Sequence, residues 1–266
     1  MPQANVPSDG RHPVPYLNPK FMNGPDGRAL RILSEYLEPL AVYRRERVRD
    51  TVVFFGSARI REDGPLGQFY KDARELARLV TEWAQQFIDG SYRFVICSGG
   101  GPGIMEAANR GAADANGKTI GLNIGLPFEQ LPNPYITPEL SFEFHYFFMR
   151  KFWFAYPAKA LVVFPGGFGT MDEMFEILTL VQTQKLAKKI TVLLYGSQYW
   201  KEVLNFDALV KWGAISKEDL NLFQYADDPA SAFDLLKHGL LEYAQPETAE
   251  TPAISKSRNP QMPGGA

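Results

Sequence analysis

Five short runs of nearly unbroken β-branched, aromatic and other apolar residues, each followed by a longer stretch, constrain this chain more than any other feature. They cover 51–56 (TVVFFG), 93–98 (RFVICS), 119–124 (TIGLNI), 160–164 (ALVVF) and 190–195 (ITVLLY). A strand with one wet face alternates apolar and polar residues, whereas a strand apolar at nearly every position is covered on both faces. Between the first two runs, Leu66, Tyr70, Ala73, Leu76, Ala77, Val80, Ala84 and Phe87 recur every three or four residues and form one helical face. Further helices are expected over 28–40, 104–115, 149–156, 171–185, 200–212 and 230–243. Strands alternating with helices imply an α/β fold: a doubly wound, Rossmann-like, mostly parallel sheet with helices on both faces.

The chain ends differ from this middle. Residues 1–27 hold six prolines and few apolar side chains, a composition that offsets little of the entropy of ordering, and they read as an arm or disordered tail. Residues 244–266, with four prolines and no aromatics, read as a second disordered tail, leaving 28–243 as one domain. With 45% hydrophobic and 22% charged residues, this is an ordinary globular balance, and 266 residues bury a large core without staples. A lone cysteine, Cys97, fits a reducing compartment, and the N-terminus lacks a secretory pattern, so the cytoplasm is the expected location. Charged residues interrupt the longest apolar stretch, 142–164, which argues against a membrane span. A net charge of −2 offers no global field for nucleic acid, so neither a membrane nor a nucleic-acid partner is expected.

Chemistry concentrates where strands end. Three glycine-bearing turns follow strand-like runs: Gly56-Ser57-Ala58-Arg59, then Ser98-Gly99-Gly100-Gly101-Pro102-Gly103, then Pro165-Gly166-Gly167-Phe168-Gly169-Thr170. In a doubly wound sheet all three lie on the carboxyl edge, where ligands bind. Glycine lets backbone approach a ligand, and a following helix offers unpaired N–H groups and partial positive charge, so a phosphate is the natural guest. Two familiar phosphate loops fail. No GxxxxGK[ST] occurs, and Gly101-x-Gly103 is followed by Glu106 rather than a third small residue, with Asn123 where a ribose-binding acid would stand. The three histidines (His12, His145, His238) are scattered, so no serine triad and no metal site is expected; His145, between Phe144 and Tyr146, reads as a packed core imidazole.

Two carboxylates, Asp172 and Glu173, stand in the first turn of the helix after the third glycine turn. A carboxylate beside a phosphate is unfavourable unless the site needs negative charge close by, as a phosphorylated sugar passing through an oxocarbenium ion does. Arg150 and Lys151 bring cations to the same edge from the most aromatic stretch of the chain.

The segments SGGGPGIMEAANRGA (98–112), Arg150-Lys151 and PGGFGTMDE (165–173) together resemble the LONELY GUY (LOG) family. These are nucleoside 5′-monophosphate phosphoribohydrolases, cytokinin-activating enzymes among them, whose members are often labelled lysine decarboxylases. The resemblance runs over 51–212. It implies that Arg150 and Glu173 are catalytic, that Gly166, Gly167, Phe168, Gly169 and Thr170 form the phosphate turn, and that Thr179 contacts substrate. Pro102 and Glu106 resemble a longer bacterial branch, which leaves AMP and a cytokinin riboside monophosphate both open as substrates.

The expected reaction is hydrolysis of a nucleoside 5′-monophosphate to free base and ribose 5-phosphate, without metal or organic cofactor. Gly56, Ser57, Gly99, Gly100, Gly101, Gly103 and Lys151 assist binding, and Asp172 is the candidate proton donor to the base. The alternative is a non-catalytic module that carries a phosphorylated cofactor, as molybdenum cofactor carriers do. The crowding of aromatics over 142–156, together with the family's habit of placing its sites at subunit interfaces, leads to the expectation of a homodimer.

Overall fold

The computed structural model describes residues 13–87, 90–125, 131–186 and 188–244. The outer parts of both expected tails, 1–12 and 245–266, and with them His12, lie outside these residues. From Pro15 to Gly27 the chain forms two 3-10 turns flanking α1 (Pro19–Met22). The Arg31 guanidinium holds them by donating to the Met22 carbonyl and to that of Gly24 (2.9 Å).

The remaining elements are α2 (Arg28–Arg45), β1 (Thr51–Phe55), α3 (Gly67–Ala84), β2 (Val95–Ser98), α4 (Ile104–Asp114), β3 (Thr119–Ile124) and β4 (Ser141–Phe144). After these come α5 (Phe147–Ala155), β5 (Ala158–Val163), α6 (Phe168–Gln182), β6 (Thr191–Tyr195), α7 (Ser197–Val203), α8 (Phe206–Lys211), β7 (Gln224–Ala226) and α9 (Pro229–Ala244). The strands form one sheet in the order β4-β3-β2-β1-β5-β6-β7, parallel at every pairing, so the α/β fold read from the sequence is the one observed.

Side chains of β1 alternate between two cores. Val52 and Phe54 meet Leu76 and Val80 of α3, Ile104 of α4 and Leu236 of α9, while Val53 and Phe55 meet Trp153 and Phe154 of α5, Met174 of α6 and Trp200 of α7. Helices thus cover both faces, and each fully buried large apolar side chain contributes about 1.5–3 kcal/mol.

Several boundaries differ from expectation. Helix α2 continues past Leu40 to Arg45 with Pro39 inside it. The helix expected over 200–212 is two, because the chain extends at Leu204 and Asn205, where the Asn205 side chain accepts from Ala208 N (2.9 Å) and restarts the helix as α8. Strands β4 and β7 were not expected. Both are edge strands of three or four residues, and β4 alternates exposed and buried positions inside the aromatic stretch. His145 is exposed rather than packed in the core: Phe142, Phe144 and Tyr146 turn inward with a period of two and leave 143 and 145 outside.

Candidate active site

Strand order reverses between β1 and β5, and the three glycine turns meet at the carboxyl ends of β1, β2 and β5. Main chain stitches them together. Ser57 N donates to the Pro165 carbonyl (3.0 Å), and Ile104 N at the head of α4 donates to the Ser57 carbonyl (3.1 Å). Buried amides brace the second turn. Asn133 Nδ2 donates to the carbonyls of Gly100 (3.0 Å) and Gly101 (3.1 Å) and to Asn109 Oδ1 (2.9 Å), which also accepts from Ser98 Oγ (2.7 Å).

The glycines do two different jobs. Gly103 has a φ of +71°, and a Cβ on it would stand 2.3 Å from the Ser57 carbonyl oxygen, so glycine there is a requirement of folding. Gly167 has a φ of −89°, which any residue adopts, and a Cβ there would meet no atom within 4 Å. What glycine provides at 167 is open approach to the backbone. Helix α6 starts at the next residue. Met171 N donates to the Gly167 carbonyl (3.0 Å) as the first intrahelical bond, so the N–H groups of Phe168, Gly169 and Thr170 come before the first intrahelical donor and carry the positive end of the helix dipole. The Tyr199 hydroxyl of α7 braces the turn by donating to the Gly166 carbonyl (2.7 Å).

These turns border a cleft of about 640 Å³. Gly56, Ser57, Gly99, Arg150, Gly166, Gly167, Phe168, Gly169, Thr170 and Glu173 all line it. Arg150 Nη2 lies 3.3 Å from Glu173 Oε1, with the two side chains only 14% and 7% exposed. The Arg150 guanidinium carbon sits 5.2 Å from the ring centre of Phe147 and 5.5 Å from that of Phe154, so two aromatic faces hold it, and its Nε is buried with no hydrogen-bond partner among the described residues. Burial pushes the Glu173 carboxyl up to about 7, against the opposing pull of Arg150 and Lys151. Burial likewise draws the Arg150 guanidinium below its usual value, with Glu173 opposing. The arrangement is a carboxyl poised to exchange a proton near neutrality, held by a fixed cation beside the N-terminus of α6.

The other expected site residues lie outside the cleft lining. Lys151 Nζ is occupied by α6, 2.8 Å from Asp172 Oδ2, 2.8 Å from Glu176 Oε2 and 4.0 Å from Glu173 Oε2. Asp172 is 58% exposed on that ion pair, and the Thr179 hydroxyl donates back to the Phe175 carbonyl (2.7 Å) on the exposed side of α6. Gly100, Gly101 and Gly103 belong to the braced scaffold beneath the turn. The sequence reading placed Arg59 in the first turn without giving it a role and missed Met105, Asn123, Ile124, Phe147, Phe154 and Tyr199, all of which line the cleft with it. Phe147 and Phe154 carried a usable signal, since they stand three before and four after Arg150 and therefore share its helical face.

The family model described as possible lysine decarboxylase matches residues 105–236. The chain is 29% identical over 179 residues to the cytokinin riboside 5′-monophosphate phosphoribohydrolase LOG of Oryza sativa subsp. japonica, covering 66% of this chain and 67% of the rice protein. The match is to the LOG family. A second rice relative, the probable cytokinin riboside 5′-monophosphate phosphoribohydrolase LOGL3, is 26% identical over 205 residues, covering 73% of this chain and 86% of its own. Among solved structures, the molybdenum cofactor carrier protein of Chlamydomonas reinhardtii is 22% identical, with a TM-score of 0.48, and covers 73% of this chain and 99% of its own. The LOG-type match spans the turn after β5, Arg150 and Glu173, the same residues that the fold gathers at the switch point. Among the described residues no helix is long and apolar enough to cross a membrane.

Proposed function

We propose that the cleft hydrolyses the N-glycosidic bond of a nucleoside 5′-monophosphate, giving the free base and ribose 5-phosphate. The observation that carries this reading is the Arg150–Glu173 pair, 3.3 Å apart and buried, on the wall of the cleft that the open N-terminus of α6 also borders. The 5′-phosphate sits on the turn from Gly166 to Thr170, where N–H groups and the helix dipole receive it and, among the described residues, no carboxylate but Glu173 is on the lining. With the phosphate fixed, the ribose lies towards Glu173. As the bond to the base breaks and its electron pair leaves with the base, positive charge grows at the anomeric carbon and the ionised carboxylate stabilises it. Glu173 then takes a proton from the attacking water, a transfer that its elevated pKa favours, while the departing base takes a proton from solvent and Glu173 returns its own to solvent, which closes the balance. Arg150 keeps its charge throughout and orients the carboxylate. Asp172, turned towards Lys151, has no step in this scheme. No metal or organic cofactor enters it, and the base, whether adenine or a cytokinin, stays open.

The working unit is a homodimer. Leu30, Leu33 and Leu37 expose an apolar stripe on α2, and Phe148 on α5 and Tyr156 just after it are exposed, with α5 packing against α2 through Tyr36 and Phe152.

A panel of nucleoside monophosphates, with free bases resolved by chromatography, tests the activity. AMP or a cytokinin riboside monophosphate is expected to release base at a kcat/KM far above that of the matching nucleoside, because the remote phosphate supplies binding energy used at the sugar. Equal values for adenosine and AMP, or no release from any monophosphate, would remove the reading.

A further inference from the structure

Behind the phosphate turn lies a second cavity of about 450 Å³ that the hydrolysis does not use. It shares Ser57, Arg59, Gly166, Gly167 and Tyr199 with the cleft, so the turn forms a saddle between two chambers. The far pocket is open to solvent, with the loop between β1 and α3 along one side of it. Ile60, Pro65 and Leu66 of that loop, with Pro165, give it an apolar floor, while Arg59 and Arg61 stand on its wall and, among the described residues, no carboxylate does. Of the loop's two acidic residues, Glu62 pairs with Arg110 (2.9 Å) and Arg74 (3.8 Å), and the exposed Asp63 is not on the lining. Turns within the loop fix its shape: Arg59 N donates to Ser57 Oγ (3.1 Å), Gly64 N to the Arg61 carbonyl (3.1 Å) and Gly67 N to the Gly64 carbonyl (2.9 Å).

Two independent observations point to a ligand that crosses the saddle. The chamber lining holds cations without a carboxylate among them, which suits an anion. At the crest, Gly167 leaves vacant the space a side chain would fill, although its backbone conformation suits any residue.

We propose that this chamber is a subsite for a second phosphate, so that the protein binds 5′-diphosphates, with the group beyond the diphosphate resting on the apolar floor and Arg61 as the distal cation. This rests on the phosphate seat proposed at 166–170: a phosphate held on that turn with its ribose in the cleft has its remaining oxygens at the saddle, and a substituent on one of them enters the far chamber. Arg59, on the shared wall, reaches either phosphate, whereas Arg61 lines the far chamber alone.

Inorganic phosphate and pyrophosphate carry no glycosidic bond, and their binding to the full-length chain can be measured by titration calorimetry. Pyrophosphate is expected to bind at least about tenfold more tightly than phosphate, as one charge-assisted hydrogen-bonded contact would give. Arg61→Ala should bring the two anions within about twofold of each other without changing the phosphate Kd. Leu66→Trp, which fills the chamber without altering charge, should do the same. Equal affinities in the unaltered chain overturn the proposal, as does a pyrophosphate preference that survives both substitutions. Failure of either anion to bind overturns the phosphate seat as well. A pyrophosphate preference in a protein that turns over no monophosphate keeps the subsite and removes the hydrolase.

Discussion

Glu173 sits in a setting that works against its own charge, and both its usefulness and its cost follow. Glu173→Gln is expected to lower kcat by about 100-fold or more while leaving phosphate affinity intact. In the unaltered protein, activity that needs the ionised carboxylate should fall as pH drops through about 7, the position to which burial raises the group. Stability runs the other way. A carboxyl with its folded pKa raised binds an extra proton in the native state between its ordinary value and about 7, so stability declines as pH rises across that window. Glu173→Gln removes the decline and should be more stable than its parent at pH 8, by roughly 1–3 kcal/mol, in paired melting curves at pH 5 and 8. Arg150→Lys should not rescue Arg150→Ala. Phe147 and Phe154 sandwich a planar guanidinium, and a lysine offers neither that fit nor the fork, so a loss of roughly 10- to 100-fold in kcat/KM is expected, read from initial rates. Full activity in the lysine variant would show that charge alone suffices.

Helices α5 and α6, side by side on one face of the sheet, each deliver one member of the pair, and Lys151 ties them together through Asp172 and Glu176. Lys151 also lowers the pKa of Glu173 from 4.0 Å, so Lys151→Met should move the acid limb of the pH–rate profile above its parent's position while the plateau rate stays close to the parent's. A fall in plateau rate without a displaced limb would make the contact structural only. The turns after β1, β2 and β5, and their convergence, were legible in the sequence because a glycine cluster directly after a buried strand marks a place where backbone must come close to something, whether a neighbouring turn or a guest. The function of individual glycines was not legible, since only the contacts of Gly103 and the empty space at Gly167 separate them. Lys151 read as a substrate contact because its partners lie more than twenty residues ahead, and their spacing of four acquires meaning only once α6 is known to pack beside α5. Edge strand β4 was hidden by the aromatics around it, and His145 was misread for the same reason: a period of two was present, but the density of rings concealed it.

The molecule as a whole leaves apolar surface uncovered on the α2–α5 side, including Leu30, Leu33 and Leu37. Light scattering on dilution, run beside the activity assay, should give twice the chain mass wherever the protein is active, and Leu33→Glu should lower mass and activity together. A fully active single chain would separate assembly from chemistry. At this scale the saddle at the switch point has one more consequence. Its donors are peptide groups at 168–170, which no side-chain exchange short of proline can delete, whereas the cleft walls that would meet a base, such as Met105, Ile124 and Phe147, are ordinary side chains that single codon changes can alter. Under the proposed function, the scaffold therefore separates what descendants must inherit from what they are free to vary: a lineage could exchange one base for another by a few replacements on the walls, with the backbone grip on a phosphate passed down untouched.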